Sequence, residues 1–154
     1  MAEEKKQGKT VGLITGCFDI LHIDHTTLFR SAKQHVDVLV IGVERDESLK
    51  SKNPNRPFNT LTWRCEMLSE LTSVDLVFPI EFVIEYKTSE VNNKMYEALY
   101  KRIRPDFLIT SPIADEYWKE KRQRAQNMGL GFLGLEMEKR ISSTDIINKL
   151  QGEI

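Results

Sequence analysis

Short apolar runs alternate with amphipathic stretches along most of this chain, in the rhythm of strand, helix, strand. Val11 to Thr15 is a brief, mainly apolar run ended by Gly16, too short for a helix and suited to a strand buried on both faces. Leu28, Phe29, Ala32 and Val36 then recur at helical spacing. The same face extended back one turn takes in His25, with His22 three residues before it. Asp37 to Val43 is rich in β-branched residues and predicts a second strand, laid parallel to the first by a right-handed crossover.

From Glu44 to Asn59 the pattern breaks. Pro54 and Pro57 interrupt regular structure among Lys50, Lys52 and Arg56, which predicts a mobile basic loop. Leu61, Cys65 and Leu68 with Trp63, Met67 and Leu71 predict a helix from about residue 60 to 71, followed by a third strand from Val74 to Pro79. Glu81 to Asn93 is polar and weakly periodic, an expected excursion. Met95, Leu99 and Ile103 then predict a helix closed by Pro105, and Asp106 to Thr110 a fourth strand. Ala114, Tyr117, Trp118, Lys121, Ala125 and Met128 mark one side of a further helix, Glu120 and Arg124 its other side, and Gly129 its stop. Leu130 to Leu135 predicts a fifth strand. Ser142 and Asp145 stand at capping-box spacing before a last helix carrying Ile146, Ile147 and Leu150.

The expected fold is α/β: a single Rossmann-like domain with a doubly wound, five-stranded parallel sheet and helices on both faces. Residues 1–10 form a charged leader, 11–150 the domain and 151–154 a tail. Ligands of such sheets bind beyond the carboxyl ends of the strands. The Gly16 turn follows the first strand and Ser142-Ser143-Thr144 follows the fifth, so the fold can bring both to one ligand.

Composition narrows the ligand. A chain of 154 residues with 40% hydrophobic and 29% charged residues can build one core. A net charge of -1 provides no broad basic field for nucleic acid or an anionic membrane, which favours a small-molecule partner. No apolar run approaches the ~20 residues of a membrane span. Met1 to Lys9 lacks the apolar centre of a signal peptide, so a cytoplasmic protein is expected. Cys17 and Cys65 lack metal-ligand spacing and read as free thiols.

Gly16 lets the backbone turn close to a bound group, and the helix behind it offers unpaired N–H donors and a positive dipole end, both suited to phosphate. Two imidazoles at that mouth can donate to phosphate oxygens and follow the charge that grows there during displacement. Read singly, each feature has a plainer meaning. Ser142 and Asp145 make a capping box, Tyr117 and Trp118 core residues, Cys17 a small packing residue, and Lys50, Lys52 and Arg64 solvated charges.

Together the residues resemble the His-x-Gly-His nucleotidyltransferases of the cytidylyltransferase-like superfamily, whose pattern near the first strand is Gly-x-Phe-Asp-x-x-His-x-Gly-His. Gly16, Phe18, Asp19, His22 and His25 match it. The likeness continues through Ala32, the basic segment, Arg64, Arg104-Pro105-Asp106 and Ile141-Ser142-Ser143-Thr144, about Val11 to Leu150. Gly-Cys-Phe-Asp-Ile-Leu-His and Asn55-Arg56-Pro57 resemble most the glycerol-3-phosphate cytidylyltransferase and ADP-heptose synthase branch.

The resemblance implies transfer of CMP or AMP from CTP or ATP to a phosphorylated sugar or polyol, with magnesium accompanying the triphosphate, pyrophosphate released, and a homodimer as the assembly. By the same resemblance His22, His25 and Lys52 are catalytic, and Gly16, Cys17, Phe18, Asp19, Lys50, Arg64, Ser142, Ser143 and Thr144 contact nucleotide or phosphate. No metal ligand is assigned to the protein itself.

Two positions depart from the pattern. Asp24 stands where the family has glycine between its histidines. A carboxylate ~6 Å from one phosphate charge, at an effective dielectric near ~20, would cost about 3 kcal/mol. Asp24 is therefore a possible modulator, and the alternative reading is a catalytically impaired nucleotide-binding or regulatory module. Two escapes are a carboxylate turned to solvent or a metal between it and the phosphates. The second departure is Thr110-Ser111-Pro112, where the branch carries a Gly-Asp element after the fourth strand.

Overall fold

In the computed structural model, which describes residues 2–86 and 89–152, the apolar runs become five parallel strands. They are β1 (Val11–Gly16), β2 (Val38–Val43), β3 (Leu76–Pro79), β4 (Phe107–Thr110) and β5 (Gly131–Gly134), in the order β3-β2-β1-β4-β5. The helices are α1 (Ala2–Lys6), α2 (Ile23–Lys33), α3 (Asp46–Lys52), α4 (Leu61–Ser69), α5 (Ser89–Ile103), α6 (Trp118–Asn127) and α7 (Ser143–Gly152).

Alternation along the strands divides the core into two faces. Val11, Leu13, Val40 and Leu108 pack with Tyr96, Tyr100 and Ala125 of α5 and α6. Ile14, Leu39, Ile41 and Ile109 pack on the other side with Phe29 of α2 and Leu68 of α4. This is the doubly wound, single α/β domain expected. Winding runs outward from β1 to β3 and then returns to β4 on the other side of β1. The carboxyl ends of β1 and β4 therefore border the switch point, where loops leave in opposite directions and open a crevice.

An aspartate just before each of three strands helps hold the sheet's register at its amino end. Asp37 accepts the Thr10 N–H at 2.8 Å, Asp75 the Leu39 N–H at 2.6 Å and Asp106 the Val11 N–H at 2.7 Å. Each carboxylate satisfies an amide at the start of the neighbouring strand, where the ladder has no partner to offer.

The structure corrects several expectations. The leader contains α1, tied to the domain by an ion pair between Lys5 and Asp106. The first part of the expected mobile loop is α3, because Ser48 and Leu49 are buried and the Ser48 hydroxyl accepts the Ile84 N–H at 2.8 Å. The prolines act only beyond its end. Helix α5 begins inside the expected excursion, where the Asn92 side chain brackets the Glu85 backbone, accepting from its N–H at 3.2 Å and donating to its carbonyl at 2.7 Å. Helix α6 starts at Trp118, leaving Ala114 exposed in the preceding turn. Arg124, assigned to the outer side, is buried, stacked 4.4 Å from the Tyr96 ring centre and donating to Asn93 Oδ1 at 3.0 Å. The expected tail begins within α7, and residues 153 and 154 lie outside the described residues.

Candidate active site

The turn after β1 is the centre of the site. Phe18 adopts a left-handed backbone conformation, with φ 50°, which folds its ring back over Gly16. A Cβ on Gly16 would stand 2.9 Å from that ring, so any side chain here would push the ring aside. The Phe18 ring then meets His25 and Phe29 edge-on, at 5.3 and 5.4 Å between centres.

Asp19 holds the opposite wall. Its buried carboxylate pairs with Arg56 at 2.8 Å and accepts the N–H groups of Phe58 and Asn59, both at 2.9 Å. Arg64 braces the same turn from α4: Nη1 donates to the Cys17 carbonyl at 2.6 Å, Nη2 to Asp46 at 2.7 Å and Nε to the Asn59 carbonyl at 3.0 Å. At 0% exposure, with all three nitrogens bonded to protein, Arg64 supports the Gly16 turn from beneath and does not face its surface. That corrects its expected place as a phosphate contact.

His22 occupies the N-cap position of α2 without a side-chain cap hydrogen bond, His25 lies in the first turn, and their rings stack with centres 3.8 Å apart and 28° between planes. Burial lowers the pKa of both. For His25 burial, followed by the neighbouring His22, brings the value to about 3 against the upward pull of Asp24. Both rings are thus neutral near pH 7 and carry no fixed positive charge. Each Nδ1 is buried without a protein partner.

Asp24 does not face solvent. Only 5% exposed, its carboxylate accepts the N–H groups of Arg140 and Ile141 at 2.8 and 3.0 Å and pairs with Arg140 Nε at 3.1 Å. Burial opposes ionisation, but those amides and the guanidinium outweigh it and hold the carboxyl below its usual range. The charge expected to repel phosphate is neutralised within the protein.

Beyond β5, Ser142 and Asp145 form the capping box of α7. The Ser142 N–H and hydroxyl donate to Asp145 Oδ2 at 2.7 and 2.6 Å, and the Asp145 N–H donates back at 3.1 Å. Ser142 is thereby engaged as a cap. Ser143 donates to the Ile20 carbonyl at 3.2 Å, which brings the start of α7 against the histidine turn, while Thr144 is exposed there.

The lysines separate. Lys50 is exposed on α3, where its charge acts on Glu47. Lys52, at the end of α3, pairs with Glu116 at 2.7 Å and lies 5.1 and 5.5 Å from the Tyr86 and Tyr117 ring centres. Burial opposes its charge, but the Glu116 contact raises its pKa. The Cys17 thiol donates to Glu44 at 3.0 Å and meets the Tyr86 hydroxyl at 3.3 Å. Burial and the Glu44 charge push that thiol upward, so it packs and does not serve as a nucleophile.

Two groups escaped sequence reasoning. Lys121 donates to the Thr15 carbonyl at 3.1 Å and to Asp115 at 2.6 Å, and Asp115 also accepts from Thr110 at 2.5 Å. This pair bridges the carboxyl ends of β1 and β4 and puts a carboxylate after β4 despite the departure at Thr110-Ser111-Pro112. The signal was a lysine on the apolar stripe of α6. The second group is the acid–phenol pair of Glu44 and Tyr86, whose carboxylate and hydroxyl are in close contact. Among the described residues no cluster of three or more His, Cys, Asp or Glu side chains could hold a metal by itself, and no helix is long and apolar enough to cross a membrane.

Comparison with known proteins agrees with this fold. The sequence profile of the family described as cytidylyltransferase-like matches residues 13–149. The bifunctional protein HldE of Campylobacter fetus subsp. fetus is 33% identical over 96% of this chain and 29% of its own length. That of Sulfurimonas denitrificans is 32% identical over 97% of this chain and 28% of its own. The chain thus spans less than a third of these relatives. Among solved structures, a lipopolysaccharide core biosynthesis protein from Thermoplasma volcanium GSS1 has a TM-score of 0.63 at 22% identity, covering 87% of this chain and all 100% of that one. A bifunctional NMN adenylyltransferase/ADP ribose pyrophosphatase from Francisella tularensis has a TM-score of 0.67 at 14% identity, over 95% of this chain and 43% of its own, and shares the fold. With the glycine turn, the paired histidines and the distant helix start assembled at one end of the sheet, and with the profile running through nearly all of the domain, the chain belongs to the cytidylyltransferase-like family.

Proposed function

We propose that the protein is a nucleotidyltransferase that moves CMP or AMP from a nucleoside triphosphate to a phosphorylated sugar or polyol. The observation that carries this reading is the stacked, neutral histidine pair at the start of α2, with the start of α7 tied to the same turn. A phosphate oxygen of the acceptor attacks the α-phosphorus, the bond to the bridging oxygen of the β-phosphate breaks, and pyrophosphate leaves. A phosphate monoester is already anionic near neutral pH, so alignment and charge neutralisation matter more than a strong base.

In this reading His22 and His25 donate hydrogen bonds to the phosphoryl oxygens as charge grows on them. Gly16 to Phe18 form the floor, and the exposed first turn of α7 with Ser143 and Thr144 takes phosphate oxygens. Lys52 supplies the positive charge, exchanging Glu116 for the ligand. Magnesium, carried in with the triphosphate, would neutralise part of its charge. Asp19 and Arg64 hold the loop and the turn in place without touching substrate. The alternative of an impaired binding module drew its motive from Asp24, and the pairing of that carboxylate with Arg140 favours the enzyme. Membership of the cytidylyltransferase-like family supports nucleotidyl transfer as the class of reaction.

The test is pyrophosphate release from CTP or ATP with magnesium, screened against glycerol 3-phosphate, heptose phosphates and other phosphorylated acceptors. His22→Ala and His25→Ala are expected to lower kcat by roughly a hundredfold or more in folded protein. Release that persists undiminished in both variants, or no release with any acceptor, refutes the assignment.

A further inference from the structure

The residue between the two histidines has a task that a glycine there cannot perform. Asp24 sits in the first turn of α2, and its carboxylate reaches a segment 116 residues away in sequence. Its partners are the backbone N–H groups of Arg140 and Ile141 and the Arg140 Nε. Arg140 extends the contact by donating through Nη2 to the Thr27 hydroxyl at 2.9 Å, one turn further along α2. Two residues beyond Arg140 the capping box begins, and one residue after that Ser143 bonds the Ile20 carbonyl.

We propose that Asp24 is a positioning residue, the anchor that draws the 139–142 strap and the first turn of α7 down over the histidine pair, so that both face one phosphate. The inference rests on the nucleotidyl-transfer reading of that site. The strap follows β5, the edge strand, and reaches α2, which follows β1 two strands inward. Other than the Ser143 hydroxyl, the described hydrogen bonds that tie it to the histidine turn all run to Asp24 or, through Arg140, to Thr27. A buried carboxylate without those donors is unfavourable, so the anchor and the strap hold each other in place. Asp145 and Asp24 both pull the pKa of His22 upward, which places the α7 cap within electrostatic range of the same ring.

The experiment compares wild type with Asp24→Gly, Asp24→Asn and Arg140→Ala. Hydrogen exchange is read at residues 139–144, triphosphate affinity by titration with magnesium CTP and magnesium ATP, and catalysis as kcat and KM for each substrate. Asp24→Gly is expected to speed exchange at Arg140 and Ile141 by roughly tenfold or more. It is also expected to weaken triphosphate binding roughly tenfold, with the acceptor KM little changed. Asp24→Asn, which keeps an acceptor oxygen and loses the charge, falls between. Arg140 is partly exposed, so Arg140→Ala removes one side of the anchor while sparing the buried turn if Asp24→Gly fails to fold. A wild type that binds neither triphosphate overturns the functional reading. A wild type that binds one, with Asp24→Gly or Arg140→Ala binding it equally or more tightly or leaving strap exchange unchanged, overturns the anchor alone.

Discussion

Lowering the pH from 7 to 5 should destabilise this protein through His25 in particular. Burial, with His22 beside it, depresses the His25 pKa from its ordinary 6.5 to about 3, although Asp24 pulls it upward. The unfolded chain therefore takes up a proton as the pH falls through 6.5, and the folded chain does not until about 3. The stabilising effect of keeping the ring neutral is whole above the unfolded value and is lost progressively below it. At about 1.36 kcal/mol per pKa unit, the His25 share of the loss between pH 7 and pH 5 is about 2 kcal/mol. The carboxyls of Asp24 and Asp145, held below their usual range, remain ionised through this window and contribute little to the slope. The assay is urea unfolding at both pH values and constant ionic strength, for wild type and for His25→Gln, whose side chain does not titrate. The variant should lose about 2 kcal/mol less than wild type between the two conditions. Equal losses would show that His25 is not held neutral by its surroundings and would remove the argument that it acts as a neutral donor.

Three further outcomes are expected. Asp19→Ala strands Arg56 and two loop amides around a buried site and should cost about 3–5 kcal/mol in urea unfolding, with the melting temperature falling by roughly 2–4 °C per kcal/mol. Lys52→Met breaks only a half-exposed pair with Glu116, so stability should change by no more than about 1 kcal/mol while nucleotidyl transfer, followed by pyrophosphate release, falls about a hundredfold. Cys17, whose thiol is raised by burial and by Glu44, should resist iodoacetamide at pH 8 in the folded protein. Peptide mass spectrometry should find Cys65 modified first, since the nearby Arg64 charge offsets part of its own upward shift.

What could be read in advance follows from how far apart the interacting groups lie. The strands were legible because β-branched runs are contiguous, and the histidine face of α2 because three-residue spacing is a property of one helix. The capping box at Ser142 and Asp145 was legible for the same reason, its partners being three residues apart. Helix α3 was not, because what holds it is the burial of Ser48 under Ile84, on another element altogether. Arg64 looked like a phosphate contact in one dimension. Only the packed structure brings the Cys17 carbonyl and Asp46 to its guanidinium and removes it from the surface.

The sequence by itself thus determined the α/β architecture and the residues that make the turn after β1, since both are encoded in local periodicity and a contiguous motif. The tertiary structure decided what the charges do. Lys121 with Asp115 bridges the ends of β1 and β4, and Asp24, a repulsive charge when considered alone, is a paired anchor once Arg140 lies against it. A charged group's effect depends on its counter-charge and its exposure, and both are supplied here by residues distant in the chain.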